Sequence, residues 1–468
     1  MLAGWADWSE FYTKKSGTTS TSATRCIILS NVSDLRGIES MRFQDGIVAI
    51  PDILVPGPGV DLEKWAVVAC DQFTSEPAYW DRVETLVGTQ PSALRVVLPE
   101  IRLTEPEAQV TARIDAINAA MAAYLCTGVL SDIGRCVVLT RREVPGASVR
   151  TGLVIAIDLD QYAYEPGNAA PIRATEGTVL ERIPPRVRIR ENAPLELPHV
   201  QLLMDDPQNT VIDPLASLCA AGVYPLLYDT PLMFGGGRIR GYRIPAGDPA
   251  LDNALGALYR LDTYRNHGLM MAVGDGNHSL VSAKACWERI RSTSDAGHPA
   301  RYAMAELINL HDGGLVFEPI HRILFGCPLG EFLALATESI VAEGCAILPG
   351  DGQVPPAASD GQPCDISAVS GGQRIVLRLA PSDRLAVDRI QPIVDTLSER
   401  KGIHVDYIHG DAALRLLASE GNTGILLPTI GKDRFFPDIV HNGVYPRKTF
   451  SMGEAAGKRY YIEARRIR

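Results

Sequence analysis

The stretch from Gly268 to Arg291, GLMMAVGDGNHSLVSAKACWERIR, most constrains the fold of this chain. Its run LMMAV is apolar throughout, as a short buried strand is, and GDGN then supplies turn residues with Asn277 as the predicted N-cap. Apolar residues next recur at helical spacing, at Leu280, Ala283, Trp287 and Ile290. A strand, a tight turn and a helix in succession predict an α/β architecture.

Other segments alternate in the same way. The runs WAVVAC (65–70) and LRVVLP (94–99) predict buried strands, and an amphipathic helix is predicted before Gly128. The segments GRCVVLTRREV and VRTGLVIAIDLDQY predict a hairpin whose turn spans Arg142 to Arg150. We therefore expect an α/β or α+β fold in which helices flank a mixed sheet, in one lobe or two.

Composition along the chain predicts three regions. Residues 1–40 are rich in Ser and Thr without periodicity and are expected to form a flexible extension; whether they belong to the native protein is open, since Met41 directly precedes the first strand-like run. Residues 41–325 are expected to form the main α/β domain with the candidate site. Residues 326–468 are expected to form a C-terminal α/β part that packs into the same domain or makes a second lobe, and 347–367 reads as a loop or linker.

Overall composition narrows the partners. The sequence is 46% hydrophobic and 21% charged, as in ordinary folded proteins, and its net charge of −10 disfavours nucleic acid and anionic lipid. No apolar run reaches the length of about 18 to 20 residues that spans a bilayer, and no secretory signal is recognisable. The nine cysteines show no C-x-x-C pair, which favours reduced thiols in a cytoplasmic protein. We expect a small-molecule ligand; homo-oligomerisation is left open.

The turn at 274–279 carries the main chemical prediction. Backbone amides at a helix start favour phosphate, so Gly274, Gly276, Asn277 and Ser279 are predicted to contact phosphate. Asp275 would repel that phosphate unless Mg²⁺ lies between them or the carboxylate acts as a base. A purely structural turn is the alternative. His278, which follows Asn277, weighs against a purely structural turn, because a helix start disfavours a positive charge.

A second polar cluster follows in AELINLHDGGLVFEPIHRIL. His311 and Asp312 come after a predicted strand, and His321 and Arg322 follow Pro319; we expect all four at element ends, where sites often form. Histidines of this cluster could instead join Asp275 and His278 around a metal, although no zinc-type spacing is present.

Basic residues form two further groups. Arg186, Arg188 and Arg190 alternate, so a strand there would place all three on one face, opposite an anionic ligand or opposite Glu196 or the Asp205/Asp206 pair. The C-terminal residues Arg447, Lys448, Lys458 and Arg459 make a basic segment that either closes over an anionic ligand or forms a hairpin with charged edges.

These blocks, together with IPDILVPGPGVDLEKWAVVACDQFTSEPAYWDRVETLVG, resemble the bacterial family known as domain of unknown function 1015, from about Met41 to the end. Shorter relatives carry D-G-H-H-R where this chain has Asp275, Gly276, Asn277, His278 and Ser279. That motif is similar to the phosphate-contacting turn of the ParB and sulfiredoxin-like superfamily, which includes free serine kinases. The resemblance implies a ParB/sulfiredoxin-like element around 268–325 and nucleotide phosphates at Gly274 to Ser279. Because Ser279 stands where the motif has arginine, phosphate contact there requires another arginine, such as Arg322.

The leading hypothesis is a small-molecule kinase that uses ATP or ADP with Mg²⁺ and phosphorylates a serine-like hydroxyl. Asp275 would be base or metal ligand, and His278 and Arg322 would stabilise developing charge. Two alternatives remain: a non-catalytic nucleotide-sensing module, and a metal-dependent hydrolase built on Asp275, His278 and His311. The predicted substrate contacts are Asp71, Gln72, Arg186, Arg188, His311 and His321.

Overall fold

The computed structural model describes residues 46–144, 146–177, 183–341, 346–349, 364–382 and 384–468. The predicted N-terminal extension, residues 1–40, lies outside the described residues. The predicted loop at 347–367 begins within one strand and ends within another, and its central part, 350–363, also lies outside them. Within the described ranges, no helix combines the length and the apolar character needed to cross a bilayer.

The chain is a mixed α/β protein, as predicted. A first large sheet has the strand order β5-β6-β11-β8-β12-β4-β3-β10-β9, with β1 paired to β4 and β2 paired to β3. Its strands, with the separate short β7, are β1 (Val48–Ala49), β2 (Asp52–Pro56), β3 (Leu130–Glu143), β4 (Arg150–Asp158), β5 (Tyr162–Ala163), β6 (Ile172–Arg173), β7 (Leu195–Glu196), β8 (Gln201–Met204), β9 (Leu226–Leu232), β10 (Gly237–Pro245), β11 (Met271–Asp275) and β12 (Tyr302–Asn309).

A second sheet, antiparallel throughout, has the order β14-β16-β15-β18-β13-β17, with β19 paired to β13. The last strand, β20, pairs instead with β7. These strands are β13 (Phe317–Phe325), β14 (Ala346–Pro349), β15 (Cys364–Ser370), β16 (Gln373–Leu379), β17 (His404–His409), β18 (Thr423–Leu426), β19 (Phe450–Met452) and β20 (Arg465–Arg466).

Helices cover the sheets. They are α1 (Leu62–Trp65), α2 (Pro77–Val87), α3 (Glu107–Thr127), α4 (Ile183–Arg190), α5 (Ile212–Ala220), α6 (Pro249–Leu258), α7 (Asp262–His267), α8 (Asn277–Ile290), α9 (Leu329–Val341), α10 (Ala386–Ser398), α11 (Asp411–Leu417) and α12 (Lys432–Asn442). The predicted amphipathic helix is α3, which ends at Gly128 in the left-handed conformation, and the predicted hairpin is the antiparallel pair β3 and β4.

Two predicted strands are wrong. The run at 65–70 continues from α1 as irregular backbone with a single bridge, from Val68 to Tyr460. The run at 94–99 begins within a short 3-10 helix, Ala93–Arg95. The first run is nonetheless fully buried from Trp65 to Val68, because helices and the C-terminal segment enclose it. An apolar run reports burial, and burial alone does not specify a strand.

The arginine segment is also not a strand. Arg186, Arg188 and Arg190 lie on helix α4, so the three guanidinium groups do not share one face. Residues four apart, Arg186 and Arg190, lie on the same side of a helix, whereas Arg188 lies on another. Farther along the chain, α5 ends at Ala220, and residues 226–232 form β9 of a hairpin with β10.

The sheet register places the candidate site. Strand β11 runs antiparallel to β8, with Asp275 opposite Gln201, so the carboxyl end of β11 meets the beginning of β8. The C-terminal segment lies nearby, because the amide of Ala69 bonds to Arg459 O (2.9 Å) and that of Tyr461 bonds to Val67 O (2.9 Å). Three segments distant in sequence therefore converge where helix α8 begins.

Candidate functional site

The turn between β11 and α8 is built on Gly276. This residue has φ +82° and occupies the N-cap position, so Asn277 is the first helical residue and not the predicted N-cap. A Cβ on Gly276 would lie 3.0 Å from Val200 Cα and 3.4 Å from His199 Cδ2. The side-chain oxygen of Asn277 is buried and has no hydrogen-bond partner among the described residues. Glycine is thus required both for the backbone conformation and for the close approach to the segment before β8.

Asp275 is held at the end of β11 by two contacts. Its Oδ1 accepts a hydrogen bond from the amide of Gly276 (2.9 Å), and its Oδ2 pairs with Lys458 Nζ at 3.1 Å. Lys458 is 6% exposed and also donates to Ser451 Oγ (2.9 Å). A positive charge therefore stands beside the carboxylate that the sequence places at the predicted phosphate turn.

His199 lies on the other side of the turn. Its Nε2 is 2.9 Å from Ser279 Oγ, and its Nδ1 is 2.7 Å from the hydroxyl of Tyr461. Burial raises the pKa of Tyr461 well above its usual range, so this partner is a neutral phenol. The imidazole is 8% exposed and fixed at both nitrogens, which defines the direction in which it can exchange a proton.

Asp71 completes this side of the site. Its Oδ2 is 4.0 Å from His199 Nε2, and its Oδ1 accepts a hydrogen bond from Gln72 Nε2 (2.9 Å). Burial raises the pKa of Asp71, but His199, Gln72 and Lys458 outweigh burial and lower it overall. Asp71 is therefore a carboxylate at neutral pH, and at 4.0 Å it attracts the imidazole without a direct hydrogen bond.

Cys70, which precedes Asp71, is not a reactive thiol. Burial raises the pKa of its sulfur far above the usual range, and the nearby carboxylate of Asp71 adds to this effect. A thiol that stays protonated is a poor nucleophile. The chemistry at the end of this segment lies with Asp71.

Buried charges anchor the C-terminal segment to the site. Arg459 is 2% exposed; it pairs with Glu306 (3.0 Å) and Glu463 (2.5 Å) and donates to the carbonyl of Pro198 (3.1 Å). Because Pro198 precedes His199 and Lys458 precedes Arg459, one guanidinium ties together both sides of the site.

A second lysine of the C-terminal segment, Lys448, lies near Glu176. Burial raises the pKa of Glu176, and Lys448 and the backbone amides of Lys448 and Thr449 oppose that rise. Lys448 itself has φ +60°, a conformation that costs free energy for a side chain other than glycine. Burial and then Lys448 and Lys458 lower the pKa of His409 to about 4, so His409 is neutral at pH 7.

His321 and Arg322 do not lie at element ends, contrary to prediction. Both are inside β13 and buried: His321 Nε2 is 2.8 Å from Asp411, and Arg322 donates to Gln391 (3.1 Å) and to the carbonyl of Lys448 (2.9 Å). Burial lowers the pKa of Arg322 to about 10. These contacts account for the Arg322 donors within the protein, and its predicted role on phosphate stays a prediction.

His311 and the helical arginines have partners of their own. His311 Nε2 is 2.8 Å from Asp205, Arg190 pairs with Glu196 (2.6 Å), and Arg186 pairs with Glu100. The more exposed Arg188 pairs with Glu107 (2.6 Å) and bonds to Thr111 (2.9 Å). Across the described ranges, no three His, Cys, Asp or Glu side chains gather in a way that could hold a metal ion.

The structure thus brings Asp71, Asp275 and Ser279 together, with Gln72 beside them, and adds three residues absent from the predicted site: His199, Lys458 and Tyr461. For His199, its position just before a strand was a weak indication of a place in the site. The basic C-terminal segment was a signal for Lys458. Tyr461 had none, because its contact with His199 spans 262 positions of sequence.

Comparisons with solved structures find distant likenesses. A free serine kinase in complex with AMP has a TM-score of 0.35 and 11% identity, covering 69% of this chain and 95% of that one. A conserved hypothetical protein from Pyrococcus furiosus has a TM-score of 0.31 and 10% identity, with coverage of 66% and 90%. SbnI from Staphylococcus aureus, truncated at its C-terminus, has a TM-score of 0.33 and 10% identity, with coverage of 66% and 82%.

No curated protein matches the sequence. A family model described as "Protein of unknown function (DUF1015)" matches residues 54–398. This range includes Asp71, His199 and the whole β11–α8 turn. It accounts for most of the chain, and the protein belongs to this family.

Proposed function

We propose that the protein is a nucleotide-dependent phosphotransferase that phosphorylates the hydroxyl of a small metabolite. One observation carries the proposal: an Asp71–His199 pair suited to proton transfer meets, through Ser279, a helix start and a lysine suited to phosphate. Phosphoryl transfer needs mainly positioning and charge stabilisation, and groups suited to both meet around the β11–α8 turn.

The phosphate side is formed by the start of α8 and by Lys458. The helix has 14 residues, so its first amides carry the positive end of a full helix dipole. Lys458 adds an ammonium group fixed between Asp275 and Ser451. Asp275 keeps this lysine in place, and the ammonium in turn offsets the repulsion between the carboxylate and a phosphate.

The acceptor side is formed by His199 and Asp71. An acceptor hydroxyl beside them attacks the terminal phosphorus of the nucleotide and forms the new P–O bond. The bond from that phosphorus to the bridging oxygen breaks, and the shortened nucleotide leaves with its electron pair. The acceptor proton passes to Asp71, which is ionised at neutral pH and accepts the proton as the new P–O bond forms.

Mg²⁺ fits this site only as an ion brought by the nucleotide. Protein Mg²⁺ sites of this kind use one or two carboxylates together with substrate phosphates, and Asp275 offers one carboxylate on the phosphate side. Asp275 would hold the ion, which would supply neutralisation of phosphate charge. The metal-dependent hydrolase is not proposed, because His311 is engaged by Asp205 and does not form a ligand group with Asp275.

The proposal is tested by measuring turnover of ATP and ADP with a panel of hydroxyl compounds, beginning with serine. The phosphorylated products are detected by ³¹P NMR. We expect Asp71→Asn to lower turnover at least a hundredfold, as for loss of acid–base catalysis, while ADP affinity by calorimetry stays within twofold. Asp115→Asn, at an exposed position on α3, is the matched control and should behave as wild type.

Two outcomes contradict the proposal. If Asp71→Asn retains full turnover, the acid–base assignment is wrong. If nucleotide binds but no acceptor in a broad panel is phosphorylated, the protein is instead the non-catalytic sensing module that the sequence also allows.

A further inference from the structure

A cavity of about 140 Å³ opens directly beside the acceptor side of the site. His199, Ser279 and Tyr461 form part of its wall, so the cavity and the proposed transfer step share side chains. The rest of the wall comes mainly from residues 96–103, residues 193–200, α4 and α8. Its apolar members include Val96, Leu98, Leu103, Met121, Ile189 and Leu280.

The size of the cavity sets the size of its ligand group. An apolar protein cavity of about 150 Å³ stays dry and holds benzene, which has six heavy atoms. The present cavity is close to that volume. It is far larger than the single methylene group that carries the hydroxyl of a serine-like acceptor. Its apolar wall favours hydrocarbon over a hydrated polar group, because each polar atom placed there loses hydrogen bonds to water.

The charged residues of the wall do not alter this preference. Glu100 and Arg186 both line the cavity, and they pair with each other. Arg190 and Glu196 likewise line it as a pair, at 2.6 Å. Because each of these charges is paired within the protein, the wall presents no net charge to a ligand. The polar groups available to the hydroxyl of an acceptor are His199 and Ser279.

The geometry points to an acceptor that carries a compact apolar group of about six carbons, such as a phenyl ring or a branched alkyl chain, one or two bonds from its hydroxyl. The apolar group fills the cavity, and the hydroxyl emerges beside His199, Asp71 and the phosphate side. This inference rests on the proposed function for the transfer step, but it makes a binding prediction that needs no turnover.

Binding is tested with benzyl alcohol as the apolar probe and glycerol as the polar one, by ligand-detected NMR on the full chain without nucleotide. We expect the Kd of benzyl alcohol to be at least tenfold lower than that of glycerol. Leu103→Trp, at a half-buried position on the wall, should fill the cavity and raise this Kd at least tenfold. Leu86→Trp, half-buried on α2 and outside the cavity wall, is the matched control and should leave it unchanged.

Equal affinity for the two probes, or no effect of Leu103→Trp, would overturn the inference. If Leu103→Trp does not fold, Val97→Phe, half-buried elsewhere on the same wall, gives the same comparison. The two proposals fail separately. Binding of benzyl alcohol without formation of benzyl phosphate from ATP or ADP refutes the phosphotransferase and keeps the cavity assignment. Phosphorylation of serine or glycerol without binding of benzyl alcohol refutes the cavity assignment and keeps the phosphotransferase.

Discussion

The β11–α8 turn gives a stability prediction in which two glycines are compared. Gly276 and Gly268 both have positive φ, at +82° and +67°. Alanine in this conformation costs about 1–2 kcal/mol, because its Cβ crowds the following carbonyl oxygen. A Cβ at Gly268 would meet no atom within 4 Å, so Gly268→Ala is expected to lower the free energy of unfolding by only that amount.

Gly276→Ala should cost more. The added Cβ would lie 3.0 Å from Val200 Cα, a backbone atom that cannot rotate away as a side chain can. Overpacking of this kind costs about 1–3 kcal/mol, which brings the expected loss to about 2–5 kcal/mol. Urea unfolding at equal m-value measures both variants. If Gly276→Ala costs no more than Gly268→Ala, the turn does not press on the segment that carries His199, and the reasoning is wrong.

Two further predictions concern charges of the site. Burial raises the pKa of Glu306, but Arg459 and Arg150 outweigh it and bring the pKa down to about 2. The stabilisation of the fold by ionised Glu306 is therefore complete above pH ~4.5 and is lost as the pH falls toward 2. Over this range the free energy of unfolding of the wild type should fall by on the order of 3 kcal/mol more than that of Glu306→Gln, and equal losses would contradict the assignment. Lys458→Met should weaken ADP binding at least tenfold by calorimetry, because it removes the ammonium beside Asp275; unchanged affinity would make Lys458 structural only.

Local patterns in the sequence predicted local structure well. The strand, turn and helix around Gly276 follow from an apolar run, a glycine and helical spacing within 24 residues, and α3 follows from apolar residues at intervals of three and four. Both patterns are read over a single element, where period reflects which side is buried. The same method failed for RVRIR, because a spacing of two also fits a helix whose arginines each find a separate partner.

The site itself depends on contacts that local patterns do not contain. His199 reaches Ser279 across 80 positions and Tyr461 across 262, and Lys458 reaches Asp275 from the far end of the chain. Sheet register creates the first of these contacts, because β8 and β11 are antiparallel neighbours. Backbone bonds between the C-terminal segment and residues 67–69 hold Tyr461 and Lys458 in place for the other two. Sequence alone could place Asp275 at the end of a strand, but it could not say which basic residue lies opposite.

The buried network of Arg459, Glu306 and Glu463 offers a last test of how the site is held. Buried ion pairs often add little net stability, because desolvation offsets their attraction, whereas removing one member costs about 3–5 kcal/mol. Arg459→Met alone should therefore destabilise by about that amount. The triple variant with Glu306→Gln and Glu463→Gln removes these three charges while keeping polar partners for Thr140 and Tyr228. It should recover part of the loss in urea unfolding, because the buried Arg150 keeps its charge beside position 306. Its ADP affinity and its turnover should each still be at least tenfold lower than in the wild type. The reason is that the guanidinium also donates a hydrogen bond to the carbonyl before His199 and fixes the segment that carries Lys458. A stable triple variant with wild-type affinity and turnover would show that packing alone positions the site.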